Sequence, residues 1–381
     1  MTLFSTLKFR VLKLLTRVYE ACIIIIVSTK YLRVLREVKR MLTERQRLIL
    51  AAIIQDYAKT GKAVGSKTLL EELGLAVSSA TVRNEMASLE ERGLLQKEHT
   101  SSGRVPSQRG YRYYVDKIMR SEHMTQVAQQ SLERVFNRNF QQIDDLMQTM
   151  VTELANITGY TVVALKPESV DARLSGFRLV PVDGQQVMAI IVTNDGQVTS
   201  QSFRLPEGMD VRGLDDMVRY INQTLVNQPI VDVLRTLSGD LPLKMERTIR
   251  TPVAFLQLFG DVLARSIRDK VFVGGRLNVL DYTDDTELQE IKQLLQLLDA
   301  PSAMRQVMGN ANDGVLIQIG DENGNSLLSP YSLISATYRV PQHGVGALAV
   351  LGPTAMRYAD VVNLVDAYRS TLSTQLLEYY R

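Results

Sequence analysis

The 381-residue chain has one cysteine, Cys22, and three widely scattered histidines, His99, His123 and His343. A lone cysteine excludes an intrachain disulfide and fits a reducing compartment. With so few soft ligands and no HExxH or CxxC spacing, no residues are grouped for a dedicated metal site. A nucleophile elbow, a P-loop and a GxGxxG turn are also missing. Enzyme chemistry therefore has no residues to carry it, and neither a cofactor nor a metal is expected. Long apolar runs are scarce too. The most apolar, Ala21 to Val27, is about half the length of a membrane-spanning helix, and Glu20 and Lys30 bracket it. No small-residue cleavage site follows it, as a secretory signal requires. The expectation is a cytoplasmic protein with no membrane partner. The many Lys and Arg before residue 41 leave a membrane-surface helix as an alternative for that segment.

The chain does have a charge asymmetry. Residues 1–40 carry 9 Lys/Arg against 2 Asp/Glu, and residues 41–120 carry 13 against 9. Residues 121–381 carry 22 against 30, so a basic front precedes an acidic body. Such a front suits a polyanion. Residues 1–40 differ in composition from the rest and read as a dispensable basic extension, with the working chain starting at Met41.

Residues 41–120 read as three short helices, a hairpin and a basic aromatic helix. Thr43 and Gln46 fit a capping box, and Leu48, Ile49, Ala52, Ile53 and Tyr57 follow at helical spacing up to Gly61. A second helix, capped by Ser66, runs to Leu73. A third starts at Ser78 or Ser79. On it Val82, Met86 and Leu89 form one apolar stripe, while Arg83, Asn84 and Ala87 lie elsewhere. Small and polar first turns carrying an arginine are what a helix needs to enter a DNA groove. Arg83 is suited to guanine O6/N7 and Asn84 to adenine N6/N7, but either could instead anchor the helix. The hydroxyls of Ser78, Ser79 and Thr81, with the helix N-terminal amides, suit phosphate oxygens. A strand at Leu94–Glu98 and a turn at 100–104 then make a hairpin wing, with Lys97 and Arg104 expected along a phosphate track. Ser66, Lys67, Thr100, Arg109 and Arg112 complete the candidate DNA contacts.

These segments carry a resemblance. Val64-Gly65-Ser66-Lys67-Thr68-Leu69, Ser78 through Met86, His99 through Pro106 and Gly110 through Asp116 closely resemble the HrcA family of bacterial heat-inducible transcription repressors. Ser175-Gly176-Phe177, Phe272 through Leu280 and the region from Gly314 to Pro353 extend the likeness. Residues 1–40 have no counterpart in it, and Ser102 stands where the family usually has alanine. The resemblance implies a winged helix-turn-helix followed by a GAF-like domain with an inserted dimerising domain. It implies a homodimer on double-stranded DNA, at the CIRCE inverted repeat upstream of the groE and dnaK operons. It also implies dependence on the GroEL chaperonin and no small-molecule ligand.

The body reads as α+β. Phe136, Phe140, Ile143, Met147, Met150, Leu154 and Ile157 keep a seven-residue repeat, either a helix that pairs with a dimer mate or one packed on its own sheet. Strand patterns follow at 159–165, 177–181, 187–192 and 198–204, with hairpin signals at Asp183-Gly184 and Asn194-Asp195-Gly196. They return at 315–319, 333–339 and 347–351, before a final helix. Helical patterns such as Leu214, Val218, Ile221 and Leu225 fill the gap. The expected division is a winged-helix domain at 41–120, a GAF-like antiparallel-sheet domain at 121–207 and 286–381, and a helical insert at 208–285. Gly274-Gly275 reads as a turn rather than a phosphate site, and Asp281, Asp284 and Asp285 as a solvated loop. The rival reading is a metabolite-responsive regulator whose GAF-like domain binds a ligand.

Overall fold

A computed structural model describes residues 42–74, 76–97, 103–120, 124–168, 172–183, 186–194, 198–204, 211–238, 259–260, 263, 271–282, 288–309, 314–341 and 343–380. The extension at 1–40, Thr100 and the rest of the wing tip, Asp284, Asp285 and most of residues 239–270 lie outside them. The chain divides into two compact units, with the boundary in the sequence between Tyr114 and Val115.

In the first unit the capping box forms. The Thr43 hydroxyl accepts the Gln46 amide, and the Gln46 side chain accepts the Thr43 amide, each at 3.2 Å. Helix α1 (Glu44–Thr60) follows and stops at Gly61, whose φ of 64° suits a residue without a side chain. Helices α2 (Ser66–Leu73) and α3 (Ser79–Glu91) come next. Ile49, Leu50, Ile53, Leu69, Val82, Met86 and Leu89 are buried together as the core. Each such side chain contributes roughly 1.5–3 kcal/mol on burial. Strands β1 (Leu95–Lys97) and β2 (Arg104–Pro106) pair antiparallel, with Lys97 opposite Arg104. Val64 adds a third strand segment, exchanging both backbone hydrogen bonds with Arg104 at 3.0 Å. Helix α4 (Gln108–Lys117) packs against the hairpin base so closely that a Cβ on Gly110 would lie 2.1 Å from the Leu94 carbonyl oxygen. Three helices and a three-stranded antiparallel element with a hairpin wing make this a winged-helix unit.

The second unit mixes helices with two antiparallel sheets. The heptad-spaced stretch is not one helix. It splits into α5 (Gln126–Phe136) and α6 (Ile143–Thr158), with Phe140 in the connection. Asn137 and Asn139 favour turns over helix interior, and Asp144 and Asp145 favour a fresh helix N-terminus. Met147, Met150 and Leu154 are fully buried within the chain, because α6 packs on its own sheet.

That sheet has five strands. They are β3 (Thr161–Glu168), β7 (Val271–Gly274), β8 (Val315–Ile319), β9 (Tyr331–Val340) and β10 (Gly344–Pro353), in the order β7-β3-β10-β9-β8. Both faces are covered. Val163, Leu165, Ala347, Ala349 and Leu351 meet helices α9 (Leu288–Leu298) and α10 (Pro301–Met308). The alternate residues Val162, Ala164, Leu348 and Val350 are equally buried on the other face, where α6 and α11 (Tyr358–Tyr379) lie. Gly274 allows the approach of α6: a Cβ there would lie 2.1 Å from the Val151 carbonyl oxygen. Gly275, at φ 60°, turns the chain into the 3-10 helix Arg276–Tyr282.

The remaining strands, β4 (Leu174–Pro181), β5 (Gln186–Thr193) and β6 (Val198–Arg204), form a separate sheet. Phe177, Val187, Ala189 and Ile191 share a core with Ile221 and Leu225 of α7 (Val211–Leu225) and Val233 of α8 (Ile230–Ser238). Phe259 and Leu263 complete that core. Here the structure departs from the division read in the sequence. The meander at 174–204 belongs with the helices that follow it, and β7 at 271–274 belongs with the larger sheet. Strand periodicity shows that a strand exists but not which sheet receives it.

Candidate nucleic-acid interface

The candidate recognition element is α3, and three sets of contacts hold it in place. Its own stripe of Val82, Met86 and Leu89 is buried. On the α1 side, Glu85 accepts Arg45 Nε at 2.9 Å and Gln46 Nε2 at 2.9 Å. The Arg45 guanidinium holds the Glu85 carboxyl below its ordinary value, against the opposing effect of desolvation, and the Gln46 hydrogen bond adds to the lowering. Gln46 therefore closes the cap of α1 and also ties α1 to α3. On the α2 side, the hydroxyls of Ser66 and Ser79 hydrogen-bond at 3.0 Å.

Ser66 differs from its expected place. The cap of α2 is Gly65, and Ser66 is the first helical residue, 7% exposed, with its hydroxyl directed at Ser79. In this position it links the start of α2 to the start of α3. Ser78 does cap α3. Its hydroxyl accepts the Thr81 amide at 3.1 Å and bonds the Thr81 hydroxyl at 2.9 Å. Ser78 is exposed, and Ser79 and Thr81 are half-buried.

Opposite the buried stripe the surface of α3 is open. Ala80, Arg83 and Asn84 are exposed. Arg83 and Asn84 make no hydrogen bond or ion pair among the described residues. Small residues flank them: Ala80 is exposed and Ala87 half-buried. Lys67, at the start of α2, is exposed as well. The arrangement leaves one arginine fork and one amide with their full hydrogen-bonding capacity on a narrow helix face, beside amides at the positive end of the helix.

The wing base is built differently. Glu90, two turns beyond Arg83 on the same flank of α3, accepts Arg104 Nε at 2.8 Å and lies 3.7 Å from Lys97 Nζ. The Arg104 side chain is 12% exposed, whereas that of Lys97 is 57% exposed. A second Arg104 nitrogen, Nη1, donates to the Gly103 carbonyl oxygen at 3.3 Å. Of the two cations expected along a phosphate track, Lys97 is the more exposed and Arg104 is bound up in the fold. Arg109 is exposed on α4, with Nη1 3.2 Å from where a Gly93 Cβ would stand. Arg112 is half-buried and already engaged within the chain.

Sequence reasoning missed three of these participants: Glu85, Glu90 and the Val64 strand segment. All three act through partners many positions away, so local pattern carries no sign of them. Among the described residues no group of three or more His, Cys, Asp or Glu is placed to hold a metal ion. Among the same residues no helix is long and apolar enough to cross a membrane.

Residues 41–116 match the family model for the winged helix-turn-helix DNA-binding domain of the HrcA transcription repressor, and residues 144–362 match that for the HrcA C-terminal domain. The heat-inducible transcription repressor HrcA of Limosilactobacillus reuteri is 44% identical over 345 residues, covering 90% of this chain and 99% of that protein. Its counterpart in Pediococcus pentosaceus is 41% identical over 341 residues, with the same coverage. A crystal structure of a hypothetical protein, 22% identical, shares the fold at a TM-score of 0.64, covering 89% of this chain and 99% of that one.

Proposed function

Because the chain belongs to the HrcA family of heat-inducible transcription repressors, we propose that it works as a homodimer on the CIRCE inverted repeat, silencing the groE and dnaK operons. The family is one of repressors and not of enzymes. The observation that carries the DNA reading is the free pair Arg83 and Asn84 on an α3 face whose opposite stripe is fully buried. A two-fold protein matches a two-fold site, and bound dimers exclude RNA polymerase sterically. In heat stress, unfolded proteins occupy GroEL, and the repressor, which needs GroEL to stay active, lapses. The protein acts in the cytoplasm.

Pairing draws support from the three-stranded sheet. Its outward face carries Val180, Met188, Ile190, Val192 and Val198 among Arg178, Ser200, Ser202 and Arg204, and Val180 and Val198 are 43% and 62% exposed. A mixed face with exposed valines suits a second copy. We read the larger sheet with its two helical layers as GAF-like and the unit built on β4–β6, α7 and α8 as the inserted dimerising part. The rival reading, a metabolite sensor, needs a pocket of roughly 300–1,000 Å³; among the described residues, the cavity lined by Thr125, Thr158, Tyr160, Arg357 and Asp360, at about 80 Å³, is too small to serve.

A gel shift on an inverted-repeat duplex, run with and without GroEL, tests the proposal. A single two-fold complex that strengthens with GroEL is expected. Equal retardation of a scrambled duplex would overturn the sequence-specific reading, and indifference to GroEL would remove the chaperonin link.

A further inference from the structure

Glu90 stands where the recognition helix meets the wing, and DNA binding gives it no obvious task, since a carboxylate repels phosphate. Its contacts give it one. It accepts Arg104 Nε at 2.8 Å and faces Lys97 Nζ at 3.7 Å. These two cations are opposite one another across β1 and β2. One carboxylate therefore fastens both strands of the wing to α3 and neutralises part of the charge the wing could offer. We propose that Glu90 is a specificity residue: it holds the wing's cations in ion pairs and so lowers attraction to DNA of any sequence, while fixing the wing where the operator needs it. The inference rests on the DNA-reading role of α3.

The physical reason lies in how the two kinds of binding differ. Sequence-independent binding is almost wholly electrostatic and grows with each phosphate neutralised. Binding to an operator adds base contacts that depend on position. Removing a negative charge beside the wing strengthens the first kind. On the operator the same gain is offset wherever the wing's placement loosens. Arg104 has further holds on the fold, through Gly103 and through backbone pairing with Val64. Lys97, more than half exposed, is the cation set free.

The test is Glu90→Gln in the full-length protein, which keeps an acceptor for Arg104 Nε and removes the charge. Binding is measured by fluorescence anisotropy on a random-sequence duplex and on the inverted-repeat duplex, between about 50 and 200 mM salt. Expected is about three- to tenfold tighter binding to random DNA, with a salt dependence steeper by about one unit of slope and a lower ratio of operator to random affinity. In a Lys97→Gln background the gain should shrink towards nothing. Random-DNA affinity and slope equal to the parent's would overturn the proposal, as would a gain that persists undiminished without Lys97. If the variant melts early, loss of binding on both duplexes would count against it too, because loosening alone gives no gain. A parent protein that fails to prefer the operator would instead sink the DNA reading itself.

Discussion

Two arginines of the winged-helix unit differ in what they are free to do. Arg83, on the first turns of α3, is exposed and has no partner among the described residues. Arg104, at the base of the wing, is 12% exposed and donates to Glu90 and Gly103. The first turns of α3 are a presenting surface, and the wing base is a joint. Presence of a cation in a DNA-binding motif does not make it a DNA contact. What decides is whether its donors are already spent within the fold, since an arginine satisfied by a carboxylate must break that pair before it meets a phosphate.

If the wing base is a joint, crowding it should cost folding before it costs recognition. Gly110→Ala sets a Cβ against the Leu94 carbonyl oxygen and forces α4 and β1 apart. About 3 kcal/mol of stability should be lost, seen as an early thermal transition in the full-length protein. Unchanged melting would mean that the joint is slack. Next in size is the presenting surface. Arg83→Ala should weaken operator binding by about 1–3 kcal/mol and relax base preference, with melting unaltered. Equal weakening on random DNA would turn Arg83 into a phosphate contact and blur the contrast with the wing.

Arg104→Ala and Lys97→Ala sharpen the comparison inside the wing. Arg104→Ala should lower stability by about 1.5 kcal/mol, as loss of a charged, part-buried hydrogen bond does, and leave the salt dependence of DNA binding nearly as it was. Lys97→Ala should leave stability alone and, in a Glu90→Gln background where this cation is no longer paired, flatten that dependence by about one unit of slope. Exchange of these two outcomes would reverse the roles assigned to the two strands.

The sequence made the elements of the reading head legible: the capping box at Thr43 and Gln46, the stop at Gly61, the stripe of Val82, Met86 and Leu89, and the hairpin all form where local pattern puts them. Local pattern worked because capping and amphipathic spacing are set within a few residues. It failed for the cap of α2, which is Gly65 and not Ser66, and it carried no sign of the hydrogen bonds between Ser66 and Ser79, thirteen positions on, and from Arg104 to Glu90, fourteen positions back. In the second unit the heptad spacing from Phe136 to Ile157 hid a break, because Phe140 keeps the apolar rhythm while the asparagines beside it leave the helix. The meander at 174–204 was legible as strands and not as a sheet of its own, since strand partners are chosen by the tertiary core.

The smallest effect concerns the other side of α3, where Glu85 ties it to α1. Arg45 and Gln46 hold the Glu85 carboxyl below its ordinary value of 4.5 in the folded chain. A carboxyl depressed by folding adds stability that is fully present above the unfolded value and lost as pH falls through the folded one. Glu85→Gln should therefore melt earlier than the parent at neutral pH, and the gap should close on acidification below 4.5. Raising the pH from neutral should leave the gap unchanged, because the carboxyl is already ionised in both states. Arg45 is 44% exposed, so solvent screens the pair and the gap should be modest. A gap that stays constant down to about pH 3 would mean that shape and not charge fixes this side of α3. The carboxylate of Glu85 would then differ in kind from that of Glu90, which works through charge on the opposite flank of the same helix.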